Sequence, residues 1–470
     1  MPRSRGPASR RSPADPAPRR RPAFAHRIAE PPVAWFDRSS LNEGVRRREV
    51  FAWAMYDFAN SGYTTVVLTA VFSAYFVGAV AGGAAWATFA WTAALSVSSL
   101  LVMVAAPLLG AWADAHRRKR AVLAVATVGC VLATAALGLV APGDIALAVV
   151  AVVVSNFFFG LGEGVIAAFL PELARPHALG RVSGWGWSFG YFGGMLTLGL
   201  GLAVVLSAQA RGETAAQFVP VTMLLTAAVF AIACVPTFAL LRERGGAAGA
   251  AGMTTDAPEA GAVLARLRRT WRESARFLDF RRMLACGCLY QAGIAVVIAL
   301  AAVYAEQAMK FTTLQTMVLI FVVNVAAALG AFGFGYAQDR VGHRRALALT
   351  LVGWIAMVAI AALTRDVGAF WAAAGLAGLC MGSSQSCGRA MIGAMAPAGR
   401  RAEFYGLWTL AVRLASIVGP LTYGVVTWAT GGNHRLAIAV TGLFFVAALG
   451  VLRGVDVGRG EQAASAAAAG

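Results

Sequence analysis

The chain has 470 residues, of which 59% are hydrophobic and 13% charged, and its net charge is +18. A soluble domain is about a quarter charged, so this composition excludes a water-soluble enzyme or binding module as the body of the protein. It implies a chain embedded almost throughout in a membrane.

The first segment, residues 1–48, is a different material. Its PRSRGPASRRSPADPAPRRRPAFAHR is rich in Pro and Arg, has no apolar run and is expected to be a disordered basic cytoplasmic tail. Twin arginines occur in it, but no hydrophobic region follows at the distance a secretory or twin-arginine signal needs. Attraction to anionic lipid, at about 1 kcal/mol per basic residue near the surface, is the functional alternative to an inert tail.

From Phe51 to Leu452 apolar runs near the ~20 residues that cross a bilayer recur. The alternating pattern of an outer-membrane barrel is absent. The pattern predicts an all-α membrane protein with twelve transmembrane helices. Residues 49–241 form a first six-helix half with spans at about 51–79, 87–113, 120–141, 145–170, 183–207 and 217–241. Residues 242–282 form a cytoplasmic linker in which the basic amphipathic stretch ARLRRTWRESARFL is expected to lie on the membrane surface. A second half, residues 283–454, has spans at about 283–307, 312–337, 345–364, 367–395, 403–428 and 435–453, and residues 455–470 are expected to be a disordered cytoplasmic tail.

Arginine gathers beside alternate span ends, in HRRKR, ARPHALGR, RLRRTWRESARFLDFRR, DRVGHRR and AGRRAE, while GAVAGGAAW and APGD at the other ends are nearly uncharged. The positive-inside rule puts the arginine-rich loops and both termini in the cytoplasm. Lysine is confined to Lys119 and Lys310 amid abundant Ala, Gly, Arg and Pro, the usage of a GC-rich bacterial genome, so the plasma membrane of a bacterium is the expected location. The cysteines Cys130, Cys234, Cys286, Cys288, Cys380 and Cys387 all fall within spans. Cys286 and Cys288 point to different helix faces and cannot jointly hold a metal, so neither metal nor cofactor is expected.

The chain repeats itself. Residues 110–120 read GAWADAHRRKR and residues 335–345 read GYAQDRVGHRR. Gly110 and Gly335 lie 225 apart, as do Asp114 and Asp339; Pro171 and Pro397, Gly180 and Gly406, and Gly193 and Gly419 lie 226 apart. The spans are thus two copies of six related by an axis along the membrane normal.

GYAQDRVGHRR resembles the loop signature of the major facilitator superfamily and stands where that family carries it, between spans eight and nine. The first copy keeps Gly110, Asp114, Arg118 and Lys119 but has Ala115 and Arg117 where a base and a glycine are usual. FAWAMYDFANSGYTTVV, FLPELARPHALGRVSGWGWSFGYFGG, SSQSCGRAM, AEFYGLW and SIVGPLTYG resemble the autophagy-type vacuolar amino-acid effluxers and their bacterial relatives, over roughly 47–453. In LYQAGIAVVI of span seven, Ala292 holds a place where that family often has an acidic residue. A glycine near a helix end admits a close neighbour, and a carboxylate one turn on can accept the free N–H groups of another helix, a contact worth about 0.3–2 kcal/mol. The superfamily resemblance implies that Asp114 latches the start of span eleven and Asp339 the start of span five when the cytoplasmic side is closed. Gly110, Arg118, Gly335, Arg340 and Arg344 complete these latches.

Polar residues inside spans point to the solute pathway, because an unpaired charge in hydrocarbon costs about 2.5–3.5 kcal/mol or more. The candidates are Asp57, Asn60, Asn156, Glu163, Gln291, Gln385, Arg389 and Arg413. Asn156, Gln291 and Gln385 suit either a polar solute or hydrogen bonding between helices. Glu163 precedes Pro171 by eight residues, as Arg389 precedes Pro397, which sets both at one depth. They can pair across the cavity, or each can be satisfied by other groups, Glu163 for example by backbone donors and Arg389 by Asp57.

The sequence therefore reads as a secondary active transporter for a small polar solute, an amino acid or related metabolite, working as a monomer by alternating access. It has no nucleotide-binding loop and no part in nucleic-acid binding. Its five histidines lie in tails or loops without a nucleophile at catalytic spacing, so it is not read as an enzyme. A proton-coupled drug exporter and a non-transporting membrane sensor or scaffold are the alternatives.

Overall fold

A computed structural model of the chain describes residues 40–175, 179–244, 265, 268–269, 271–397 and 401–469. Among these, twelve helices are long and apolar enough to cross a membrane. They are α1 (Arg47–Val80), α2 (Ala87–His116), α3 (Lys119–Ala136), α4 (Ile145–Ala167), α5 (Leu179–Ala210) and α6 (Ala215–Leu240) in the first half. The second half contributes α7 (Leu278–Ala308), α8 (Thr313–Val341), α9 (His343–Leu363), α10 (Val367–Met395), α11 (Arg401–Ala429) and α12 (His434–Arg453). No end departs from the sequence expectation by more than five residues, the largest differences being Ala136 against 141 and Leu278 against 283.

The helix starts follow local chemistry. Glu49 accepts the Arg46 N–H ahead of α1, Gln217 accepts from Thr214 ahead of α6, and Asp366 and Asn433 accept N–H groups in the first turns of α10 and α12. Such caps satisfy donors that the first helical turn leaves unpaired. α1 is α-helical to Tyr63, then passes through two wider π-helical stretches, Thr64–Ala70 and Phe76–Val80.

The contacts obey the repeat. α1 packs on α5 and α6 as α7 packs on α11 and α12; α3 packs on α4 and α6 as α9 packs on α10 and α12; α2 pairs with α4 as α8 pairs with α10. The closest approaches repeat too. A side chain at Gly193 would meet the Phe58 carbonyl at 2.1 Å, and one at Gly419 would meet the Ala292 carbonyl at 2.1 Å, so α1 and α5, like α7 and α11, touch backbone to backbone. Gly162 over the Tyr56 hydroxyl and Gly388 over the Tyr290 hydroxyl form a second pair of matching positions, again 226 residues apart. Small residues at such crossings let helices gain packing contact, which drives association in lipid.

Each half is fastened at its arginine-rich end. In the first, Arg244 pairs with Glu49 at 2.7 Å, Lys119 with Glu172 at 2.9 Å, and Glu243 accepts the Lys119 N–H at 2.9 Å, tying the ends of α1, α3, α4 and α6. In the second, Arg459 grips Asp279 through two bonds of 2.6 Å, while Arg344 donates to the Arg453 carbonyl and Arg282 to the Gly454 carbonyl.

Two expectations about the ends differ from the structure. Leu41, expected in the disordered tail, is buried, bridges Ala174 and accepts a bond from Arg175 Nε at 2.9 Å. Residues expected as a disordered C-terminal tail form a further helix, α13 (Val457–Ala469), held by the Arg459–Asp279 clamp and packed on α7 and α10. The composition there is short of large apolar groups, and the ordering comes from a tertiary ion pair that a local reading does not contain. Most of the basic tail and of the linker lies outside the described residues, although Arg281 stacks over Trp271 at 4.6 Å where the linker enters α7.

Candidate transport pathway

Two crossings join the halves, α2 with α11 and α5 with α8, and α1 meets α7 between them. The contacts begin at the arginine-poor face. Phe89 of α2 stacks on Trp428 of α11 with ring centroids 5.4 Å apart, and Gly424 sits against Thr92 so closely that a Cβ there would lie 2.0 Å from its hydroxyl. Trp91 Nε1 donates to the Ala299 carbonyl of α7 at 3.2 Å, and Ser96 Oγ donates to the Ile417 carbonyl at 3.3 Å. On the other crossing Met317 of α8 reaches Gly201 of α5. Large side chains and main-chain acceptors close this side.

Deeper along α11, Arg413 Nη2 donates to Glu163 Oε2 of α4 at 2.6 Å, an ion pair between the halves in which the side chains are 23% and 43% exposed. Gly160, one turn before Glu163, leaves the room into which Arg413 Nη1 extends. The partner of Glu163 in this arrangement is thus Arg413 of α11, where the depth argument considered Arg389 of α10. The repeat fixes depth but not azimuth, and α11 reaches α4 through the α2 crossing. The side chain of Arg389 lies outside the described residues, as do those of Asp114, Asp339 and Arg340 and the surroundings of Gly335. Of the other latch positions, Gly110 has nothing within 4 Å of where a side chain would stand, and exposed Arg118 precedes α3. Arg344 serves its own half through the Arg453 carbonyl.

The neutral candidates divide. Gln291 and Gln385 bond each other reciprocally, at 2.9 and 3.3 Å, and so join α7 to α10 within one half. Asn156 Nδ2 donates to Ser98 Oγ at 2.5 Å, joining α4 to α2. Helix-to-helix bonding is therefore their role in this arrangement. Asp57 is half-buried on α1 against Gly186 of α5. Asn60, one turn on, is 6% exposed and neither of its amide atoms has a hydrogen-bond partner. A buried amide without partners is costly, by about 1–3 kcal/mol, and marks a place where something polar is missing or arrives later.

Glu306 was not among the candidates from the sequence. It stands near the arginine-poor end of α7 with a buried, unpartnered Oε1, in a cavity of about 120 Å³ between the halves. It falls inside the expected 283–307 span, one residue from its end, where a charge is ordinarily solvated. Glu49, Glu172 and Asp279 lie just outside the expected spans 51–79, 145–170 and 283–307, and they form the fastenings described above.

Comparison with known proteins agrees with this architecture. The family described as "Vacuole effluxer Atg22 like" matches residues 178–465, and the family described as "Major Facilitator Superfamily" matches 7–198. An "Uncharacterized MFS-type transporter YxiO" of Bacillus subtilis is 24% identical over 406 residues, 84% of this chain and 92% of that protein. "Autophagy-related protein 22-1" of Neosartorya fischeri is 28% identical over 220 residues, 43% of this chain and only 36% of the fungal protein. In fold, the chain is similar to a bacterial homolog of the human lysosomal transporter Spinster in an inward-facing, unoccupied conformation, with a TM-score of 0.66 and 13% identity, covering 90% of this chain and 99% of that one.

Proposed function

Because this chain belongs to the Atg22-like vacuole effluxer family and has the twelve-helix fold of major facilitator transporters, we propose that it carries a small polar solute, an amino acid or related metabolite, by alternating access of its two halves. The arginine-rich face is assigned to the cytoplasm by the positive-inside rule, in the plasma membrane of a bacterium. The observation that carries the reading is the division of contacts. Each half is bound within itself by charged fastenings, whereas the halves meet in a seal on the arginine-poor side backed by one described ion pair, Glu163–Arg413. Two rigid bodies joined by a seal and a partly hydrated ion pair can rock without either having to unfold.

In this reading the present arrangement is closed to the outside. Asn60 on α1 is the group proposed to meet the solute, since its buried amide has no hydrogen-bond partner while Asn156, Gln291 and Gln385 are spent on neighbouring helices; Asp57, one turn before it, stands beside that site. Asp114 and Asp339 are proposed to latch the opposite, cytoplasm-closed arrangement. The test is flux of a panel of labelled amino acids and related metabolites into proteoliposomes, with and without an imposed pH gradient. Saturable flux that Asn60→Ala abolishes, while the protein still inserts, is the expected result. Absence of flux for every solute class would overturn the reading.

A further inference from the structure

Glu306 lies two residues before the end of α7 and lines a cavity of about 120 Å³ whose walls come from both halves: Tyr75 and Gly78 of α1, Ala215 and Val219 of α6, and Thr313 of α8. This is room for several waters. Oε1 of the carboxyl is buried there without a hydrogen-bond partner.

The surrounding groups offer no countercharge. On α1, Tyr75 is the other titratable group of the wall, and its hydroxyl donates to the Val140 carbonyl at 3.3 Å. Beyond it, Asp144 accepts the Ala141 N–H. On α8 the hydroxyls of Thr313 and Thr316 stand where they favour the ionised carboxyl, but they carry no charge to balance it. Before α6, Arg211 is taken by Glu213 at 2.6 Å. Arg435, at the start of α12, donates to the carbonyls of Ala362 and Thr364 and to Met309 Sδ. Lys310, after α7, is exposed. Among the described residues no ion pair reaches Glu306.

We propose that Glu306 is a proton-binding site built into the seal, loaded when the arginine-poor side closes and emptied when it opens. The proposal rests on the alternating-access reading above. An ionised carboxylate buried without a countercharge is disfavoured in such a cavity, and its neutral acid is not. When α1 and α6 part from α7 and α8, water reaches the carboxyl and it ionises as an ordinary glutamate. Closure therefore takes up one proton, so acid on that side favours the closed arrangement and alkali the open one, by at most about tenfold per pH unit.

The experiment reads the seal and needs no solute. Ala215→Cys places a thiol on the cavity wall, and its labelling by an impermeant maleimide in lipid nanodiscs is measured at about pH 5 and about pH 8, spanning the carboxylate range. Each rate is normalised to that of Pro142→Cys, an exposed position in the turn between α3 and α4, so that the thiol's own ionisation cancels. Relative labelling is expected to fall about tenfold or more from the high to the low pH, a proton linkage of this kind. Glu306→Gln, permanently neutral, should label slowly at both values, and Glu306→Asp should keep the fall. A pH-dependent seal that survives Glu306→Gln, or a seal in the parent that ignores pH, overturns the proposal. Neither result depends on solute flux, so a protein that transports nothing would refute the transport reading and leave the site standing, and the reverse holds equally.

Discussion

Removing either member of the Glu163–Arg413 pair should loosen the seal, and the size of the effect can be worked from the geometry. With N and O at 2.6 Å the charge centres are about 4 Å apart, where Coulomb attraction is about 4 kcal/mol at an effective dielectric of 20. Fully exposed pairs yield about 0–1 kcal/mol net, and these side chains are 23% and 43% exposed. A coupling of about 1–2 kcal/mol is therefore expected, a shift of roughly 5–30-fold in the balance of arrangements. The pair exists with the arginine-poor side closed, so Glu163→Gln or Arg413→Gln should open that side. The assay is maleimide labelling of Thr92→Cys, a residue buried in the seal against Gly424. Each neutral variant should speed labelling by the stated factor, and the charge-swapped double variant should restore most of the protection. Additive effects, or labelling that does not change, would refute the pair as a link between the halves.

Gln385→Ala should strand its buried partner Gln291 and lower stability by about 1–3 kcal/mol, whereas the double change to Met should recover part of it in thermal unfolding of the purified protein. Gly193→Ala and Gly419→Ala should destabilise by similar amounts, about 1–3 kcal/mol each, because both drive a methyl into facing backbone. Gly199→Ala, with open space at its Cβ, is the control and should be neutral or slightly stabilising in the same measurement. Deleting residues 1–38 should leave insertion and flux intact, while deletion through residue 45 removes the Leu41–Ala174 bridge and should lower the unfolding temperature. Asp339→Asn should impair flux more than Asp114→Asn with both proteins inserted, since the second loop copy is the complete one; equal loss would count against it.

The fold was legible because hydrophobic length and arginine placement are written locally. The halves were legible because Gly193 and Gly419 keep their spacing, and both turn out to be backbone contacts. The site was legible only in part. Glu163 and Arg413 were both recognised as costly charges, but which partner each takes depends on helix azimuth, which spacing along one helix does not encode. Asn156, Gln291 and Gln385 looked alike in sequence and were resolved only by the neighbour each one found. Glu306 was hidden by its position, as a charge two residues from a helix end reads as a boundary until the opposing half is seen to cover it. The ordering of α13 was hidden because its anchor, Asp279, is 180 residues away from Arg459.

The π-helical stretches of α1 bear on how this protein tolerates change. An α-helix in a membrane keeps one face for lipid, and substitutions there are cheap, which gives an ordinary span a tolerance that rises and falls every 3.6 residues. Past Tyr63 the wider turns rotate α1 so that Thr65–Leu68 and Ala70–Val77 are buried on every side. That segment has no cheap face. A saturation scan of α1 should show periodic tolerance up to Tyr63 and near-uniform intolerance from Thr65 to Val77, so variation among natural relatives that retunes the carrier has to accumulate in the helices around this shaft.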